Sequence, residues 1–281
     1  MLIQQIQVIK AVEITCKSKF YYLCGLPRSG NTLFSSIMNQ NPILKVTPNS
    51  ILPDILVSIN YLKNNQIYEN FPKESSLDNV LKNIFNNYYS DWNSEIIIDR
   101  SNWGLPSNFE TLKKYSPNEI KIIVLVRDIK EILASYIKWS YSNETNYIAQ
   151  NGNTLRQRCD YVMANGGSFH IWLQAVFNLC KPENKKYIHL IEYDDLVNNT
   201  KNEIDKVYEY LDIPKFDHSF QNLSQLNIDG IEYNDNALGG DLHKIKTDKV
   251  EKVKYNIYDY LPKDVDFLYK TKSFWRKECL I

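Results

Sequence analysis

A short apolar run, Phe20 to Cys24, halts at Gly25-Leu26-Pro27-Arg28-Ser29-Gly30, and Leu33, Phe34, Ile37 and Met38 then recur at helical spacing up to Asn41-Pro42. Strand, glycine-bounded loop and helix in direct succession constrain the fold more than any other feature, because such a helix has to pack back over a sheet. Glu95 to Ile98, Ile120 to Val126 and Tyr187 to Ile191 are further short runs rich in Ile and Val. Strands that are apolar throughout are buried on both faces, as in parallel sheets.

Helical patterns alternate with these runs. Asp128 can cap a helix whose apolar residues Ile129, Ile132, Leu133, Tyr136 and Ile137 share one face. A long helical pattern covers Thr154 to Leu179, and Ile204, Val207, Tyr208 and Leu211 mark another that ends before Pro214. The expectation is an α/β fold: a doubly wound, mostly parallel sheet of four or five strands with helices on both faces, forming one domain over residues 1–281. Residues 43–75, 140–168 and 225–246 are expected to be loops that recognise a substrate, with the Asn- and Gly-rich stretch from Asn227 to Asp241 as a long loop or lid.

Charge and cysteine usage narrow the class. Lys plus Arg and Asp plus Glu both number 33, so no global field draws the chain to nucleic acid or to a membrane surface, and any phosphate-binding charge has to be local. The five cysteines, Cys16, Cys24, Cys159, Cys180 and Cys279, form no C-x-x-C pair, which fits free thiols rather than a zinc site or a disulfide framework. The N-terminus lacks the basic-then-apolar order of a signal peptide and no apolar run approaches a bilayer span, which points to a cytoplasmic protein. The N-x-[ST] sequons at Asn143, Asn198 and Asn222 are those an Asn-rich chain acquires by chance.

The loop from Gly25 to Thr32 nearly fits G-x-x-x-x-G-K-[ST], whose backbone N–H groups cradle phosphates at a helix N-terminus. Asn31 stands where the triphosphate-binding Lys belongs, and the cation has moved into the loop as Arg28. That pattern suits a ligand with one phosphate in the cradle; the alternative is an ordinary turn with a surface Arg. Neither a Cys/His cluster nor triphosphate chemistry calls for a metal.

Tyr22-Leu-Cys-Gly-Leu-Pro-Arg-Ser-Gly-Asn-Thr-Leu33 resembles the 5′-phosphosulfate loop of sulfotransferases that use 3′-phosphoadenosine 5′-phosphosulfate (PAPS). The match is closer to the P-R-S-G-T-T form of tyrosylprotein-like and bacterial-type enzymes than to the P-K-S-G-T-T form of cytosolic ones. Ile122 to Lys138, with Arg127 at a strand end and Ser135 eight residues on, resembles the family's 3′-phosphate signature. The stretch from Ile191 to Ile213 resembles the segment whose Tyr, here Tyr193, contacts adenine. The resemblance implies PAPS as donor, adenosine 3′,5′-bisphosphate (PAP) as product, and cofactor contacts from Arg28, Ser29, Gly30, Asn31, Thr32, Leu33, Arg127, Ser135 and Tyr193. It leaves the acceptor open among peptide tyrosine, sugar, lipid alcohol and small phenol, and it does not address oligomeric state.

Several positions depart from the pattern. Leu33 replaces the Trp that stacks on adenine in cytosolic members, and Asp235, Asn236 and Ala237 occupy the places of their late R-K-G. His243, Lys244 and Lys246 lie just beyond and could supply that clamp on the 3′-phosphate, or could belong to a solvated loop. Both familiar bases are missing: Asn102 stands at the His of the cytosolic K-T-H, and Lys45 to Ser50 lacks the Glu of the tyrosylprotein enzymes. Arg28 and Arg100 are the candidates for stabilising the transferring group, and Asp99 is the candidate base, with Asp54, His170 and His243 behind it. A P-loop nucleotide kinase or GTPase, or a non-catalytic PAPS- or nucleotide-binding module, are the competing readings. Asp99 and Asp128 would then be the nearest to a magnesium-binding Asp.

Overall fold

The computed structural model describes residues 18–264 except 143–144, 226, 239, 241 and 246–248, together with 268 and 273–278. Cys16, Cys279, Asn143, Asp241 and Lys246 lie outside the described residues. Five strands, β1 (Lys19–Leu23), β2 (Leu44–Asn49), β3 (Ile96–Arg100), β4 (Ile122–Val126) and β5 (Ile188–Glu192), form one sheet in the order β2-β3-β1-β4-β5. Every pairing is parallel.

Side chains alternate across the sheet and divide the core in two. Phe20, Tyr22, Ile97, Ile122, Val124 and Val126 face one apolar layer, and Tyr21, Leu23, Ile96, Ile98, Ile123 and Leu125 face the other. Helix α1 (Asn31–Met38) covers the second layer with Phe34, Ile37 and Met38. Helices α2 (Leu52–Tyr61), α3 (Glu74–Tyr88), α4 (Pro106–Tyr115) and α5 (Ile129–Ser142) cover the first. Asp128 begins α5 as expected, its Oδ1 accepting the Lys130 backbone N–H at 2.9 Å.

Three regions differ from the sequence-based expectation, one of them residues 140–168, which hold the end of α5, a helical turn at Tyr147–Gln150 and the helix Leu155–Met163 rather than a loop. Residues 43–75 are not a loop: they contain β2 and α2. Strand β2 escapes a hydrophobic scan because Lys45, Thr47, Pro48 and Asn49 interrupt it, and it tolerates Pro48 because it is an edge strand whose register shifts between Val46 and Asn49. The helical pattern from Thr154 to Leu179 is two helices, α6 (Leu155–Met163) and α7 (Ser168–Leu179), broken at Ala164 to Gly167, where Gly166 adopts φ +78°. Helices α8 (Tyr193–Asn198) and α9 (Thr200–Leu211) follow β5. Among the described residues no helix is long and apolar enough to cross a membrane.

The connection after β1 runs toward β2 and the connection after β4 runs toward β5, although β1 and β4 are neighbours. The chain thus departs in opposite directions from adjacent strands. In open α/β sheets the crevice at the carboxyl ends of such strands is where ligands bind.

Candidate active site

The loop after β1 is held from inside. Leu26 N–H donates to Leu125 O at 2.8 Å, and the Ser29 hydroxyl lies within hydrogen-bond distance of the carbonyls of Leu26 and Leu125. Asn31 donates Nδ2 to Leu26 O at 2.7 Å, and a Cβ at Gly25 would meet Asn31 Oδ1 at 2.0 Å. The residue that replaces the triphosphate Lys therefore ties the loop to itself, and glycine at position 25 makes room for it. Gly30 enters α1 at φ +88° without a capping side chain, and no acid lies in the first turn. Those first-turn amides lie at the positive end of the helix, which favours negative charge, beside the cleft residues Gly30, Asn31, Thr32 and Leu33.

Arg28, at φ +63°, extends its guanidinium across this cleft. Its Nε donates to Ser135 Oγ at 3.0 Å and its Nη1 to Leu242 O at 2.6 Å. Burial lowers its pKa, and Arg127 adds to that direction; a guanidinium nevertheless stays charged. Arg127, at the end of β4, donates Nη1 to Arg28 O at 3.1 Å and Nε to Glu131 Oε2 at 2.9 Å. Its guanidinium stacks 4.2 Å from the centre of the Tyr193 ring. Tyr193 in turn packs on Gly30, whose added Cβ would lie 3.0 Å from Tyr193 Cδ2. Behind Arg127, Glu131 also accepts from Lys252 at 3.0 Å, so this arginine has a structural carboxylate partner as well as a face on the cleft.

Arg100 and Asp99 part company. Arg100 lines the cleft and donates Nη1 to the Tyr233 hydroxyl at 2.9 Å. Asp99, one residue earlier on β3, points to the opposite side of the sheet and is fully buried. The Tyr89 hydroxyl donates to its Oδ2 and the Trp103 indole N–H to its Oδ1, the latter at 2.9 Å. Burial pushes its pKa up to about 6, against the opposing hydrogen bonds from Tyr89, Trp103 and Ser50. Asp99 does not line the cleft, which corrects its assignment as the base. Ser29 likewise turns its hydroxyl inward and does not line the cleft. Asp54 is an exposed residue in the first turn of α2.

The cleft encloses about 460 Å³. Among the described residues, Arg28, Arg100, Arg127, Lys138, Lys244 and Lys249 line it with one carboxylate, Glu251, so cations are concentrated here although the chain has zero net formal charge.

A family model described as a sulfotransferase domain matches residues 21–252. The chain belongs to the sulfotransferase domain family. PAPS-dependent sulfuryl transfer is the activity that follows. Solved structures share the fold. A sulfotransferase domain from the curacin biosynthetic pathway is 14% identical at TM-score 0.53, with 91% of this chain and 97% of that chain covered. A mouse sulfotransferase complexed with PAP is 15% identical at TM-score 0.54, with 94% and 85% covered. The sulfotransferase domain of the Synechococcus PCC 7002 olefin synthase is 15% identical at TM-score 0.50, with 91% and 94% covered. No curated protein matches the sequence significantly.

This sulfotransferase brings Arg28, Arg100, Arg127, Ser135, Tyr193, His243 and Lys244 to one cleft from five separate stretches of chain. Sequence reasoning missed the aromatic wall of Tyr136, Tyr147, Trp172 and Tyr255. Tyr136 reads in sequence as part of the core face of α5, and it is indeed buried while its edge lines the cleft. Asn49, at the end of the edge strand, was hidden with that strand. Asp235 was noted only as a departure from the late R-K-G, yet it holds His243 at 2.6 Å.

Proposed function

We propose that this sulfotransferase binds PAPS with the 5′-phosphosulfate against the Gly25–Gly30 loop and the first turn of α1, and with the 3′-phosphate against Arg127 and Ser135. The observation that carries this reading is the 3.0 Å contact between Arg28 Nε and Ser135 Oγ, by which the two stretches meet on one cleft. The cradle also fits in kind: an uncapped helix N-terminus offers fixed donors without any group that needs a metal. PAPS supplies an activated sulfuryl group whose leaving phosphate the chain has to stabilise. Arg28 and Arg100 are the cations placed to do that. Tyr193, pressed between Arg127 and Gly30, and Leu33 offer the adenine its apolar surface, in place of the Trp of cytosolic relatives.

The Pro27-Arg28-Ser29-Gly30 form of the loop supports a kinship with the tyrosylprotein-like and bacterial-type branch rather than with the cytosolic one. The acceptor is a hydroxyl or amine that enters along Tyr136, Tyr147, Trp172 and Tyr255. Cys24, Cys159 and Cys180 are buried thiols outside any disulfide, which supports a reducing, cytoplasmic setting.

Two measurements test the reading. PAP without magnesium should raise the melting temperature, by about 2.7 kcal/mol of stabilisation at 100 times its dissociation constant. ATP or GTP with magnesium should do little, and the reverse preference would favour the kinase reading. Incubation with labelled PAPS and pooled peptide tyrosine, sugar, lipid alcohol and phenol acceptors then identifies the class that takes the label.

A further inference from the structure

The late loop holds a histidine–carboxylate pair that the phosphate contacts do not use. His243 Nδ1 lies 2.6 Å from Asp235 Oδ1, and the His243 backbone N–H donates to Asp235 Oδ2 at 2.7 Å, so one carboxylate grips the residue twice. Tyr233 stacks on the imidazole with ring centres 4.2 Å apart and planes 8° apart. The Tyr233 hydroxyl accepts from Arg100, and the carbonyl of Leu242, next in sequence to His243, accepts from Arg28. His243 is thereby ordered between the two arginines at the transfer end of the cleft, which it lines. With Nδ1–H donated to Asp235, Nε2 of the neutral imidazole carries the lone pair.

We propose that His243 is the general base of the transfer and that Asp235 is the positioning residue that holds its tautomer, an assignment that rests on the sulfotransferase reading above. The acceptor oxygen or nitrogen forms the new bond to sulfur while the bond between sulfur and the 5′-phosphate oxygen of PAPS breaks. That oxygen keeps the electron pair and departs with PAP. The acceptor's proton passes to His243 Nε2, and the imidazolium later releases it to water.

The surroundings agree with that role. The charged and titratable groups facing His243 are Asp235 and Tyr233 from its own loop, Arg100 from β3 and Arg28 from the loop after β1. Burial lowers the imidazole pKa, Asp235 opposes this, and Arg100 and Arg28 push it down further. A base has to be neutral to accept a proton, and this direction keeps it so at neutral pH. Among the described residues, Asp99 is sealed beneath the sheet, and the cleft carboxylate Glu251 is exposed and paired with Lys249 at 3.2 Å.

His243→Gln keeps an amide for Asp235 and tests the assignment with labelled PAPS and the acceptor class that takes the label. The expected result is a kcat lower by about 10²–10⁴-fold, with PAP affinity within about threefold of wild type. The acidic limb of the wild-type pH–rate profile should vanish with it, which loss of packing alone would not cause. A second measurement needs no acceptor: nitrogen NMR of the wild-type imidazole should show hydrogen on Nδ1 and a bare Nε2 at neutral pH. Turnover of His243→Gln within about threefold of wild type, or a hydrogen on Nε2, would overturn the assignment. If wild type fails to bind PAP, the donor site itself is wrong; if PAP binds and His243→Gln turns over normally, only the base is.

Discussion

Asp99 and Asp235 are both buried or half-buried carboxylates that accept hydrogen bonds from ring-bearing side chains, and they end in opposite situations. Asp99 lies on β3 in step with Ile97, so strand alternation turns it into the layer of Phe85, Tyr89 and Trp103. Asp235 begins a short 3-10 helix, Asp235–Leu238, in the late loop, where strand parity does not apply, and it grips a histidine that opens onto the cleft. Asp99 is adjacent to Arg100 in sequence, whereas Asp235 reaches Arg100 through Tyr233 and His243. The difference teaches that on a strand the neighbour in sequence faces the other way, while a loop can return a distant residue to the same charge.

The largest expected effect separates the two carboxylates directly. Asp235→Asn should lower kcat about 10²-fold by releasing the His243 tautomer, while Asp99→Asn should stay within about threefold of wild type. Steady-state turnover with the identified acceptor measures both, and equal losses would break the comparison. Next comes Arg127, which has a structural partner like Asp99 and a face on the cleft like the Asp235–His243 pair. Arg127→Ala should weaken PAP binding by about 1.5–3 kcal/mol, roughly 10–150-fold, and adenosine 5′-phosphate binding by clearly less, since both nucleotides lose the Arg127 support of Arg28 and Tyr193 but only PAP loses a 3′-phosphate contact. Calorimetric titration distinguishes the cases: equal losses for both nucleotides would make Arg127 structural.

A smaller effect comes from the closed site. Folding raises the Asp99 pKa from 3.8 to about 6, so between those values the folded chain holds a proton that the unfolded chain has released. Stability contributed by the neutral carboxyl is present at low pH and falls as pH rises through that window, by about 2–3 kcal/mol in all. Asp99→Asn cannot ionise and should lose this slope. Melting curves across the window should therefore show wild type gaining on the variant as pH falls; parallel curves would mean that Asp99 is ionised throughout. The smallest effect is that of chelation. Transfer should stay within about twofold in EDTA, because the cradle works through backbone N–H groups and arginines; a strong loss would return attention to metal-dependent phosphate chemistry.

Legibility in the sequence followed locality. Four strands are visible because their apolar runs are continuous, whereas β2 is broken by Lys45, Thr47 and Pro48 and tolerated at the edge. The break between α6 and α7 was marked by Gly166-Gly167, but the apolar pattern on either side reads as one helix. In the site, Arg28 and Arg127 each sit where a strand gives way to a helix, so a local motif places them. The Asp235–His243 pair has no motif; an eight-residue separation that runs from a short 3-10 helix into a loop says nothing about contact.

By itself the sequence determined the α/β class, the glycine-bounded loop after β1 with Arg28 in it, and the arginine at the end of β4, because each is set by residues within one turn or strand. Tertiary structure alone decided that Arg28 meets Ser135, that Asp99 is sealed away, and that His243 stands between Arg28 and Arg100. The physical reason is that local pattern specifies which face of an element is apolar, whereas the meeting of side chains from different elements depends on strand order and on the path of loops with no period to read.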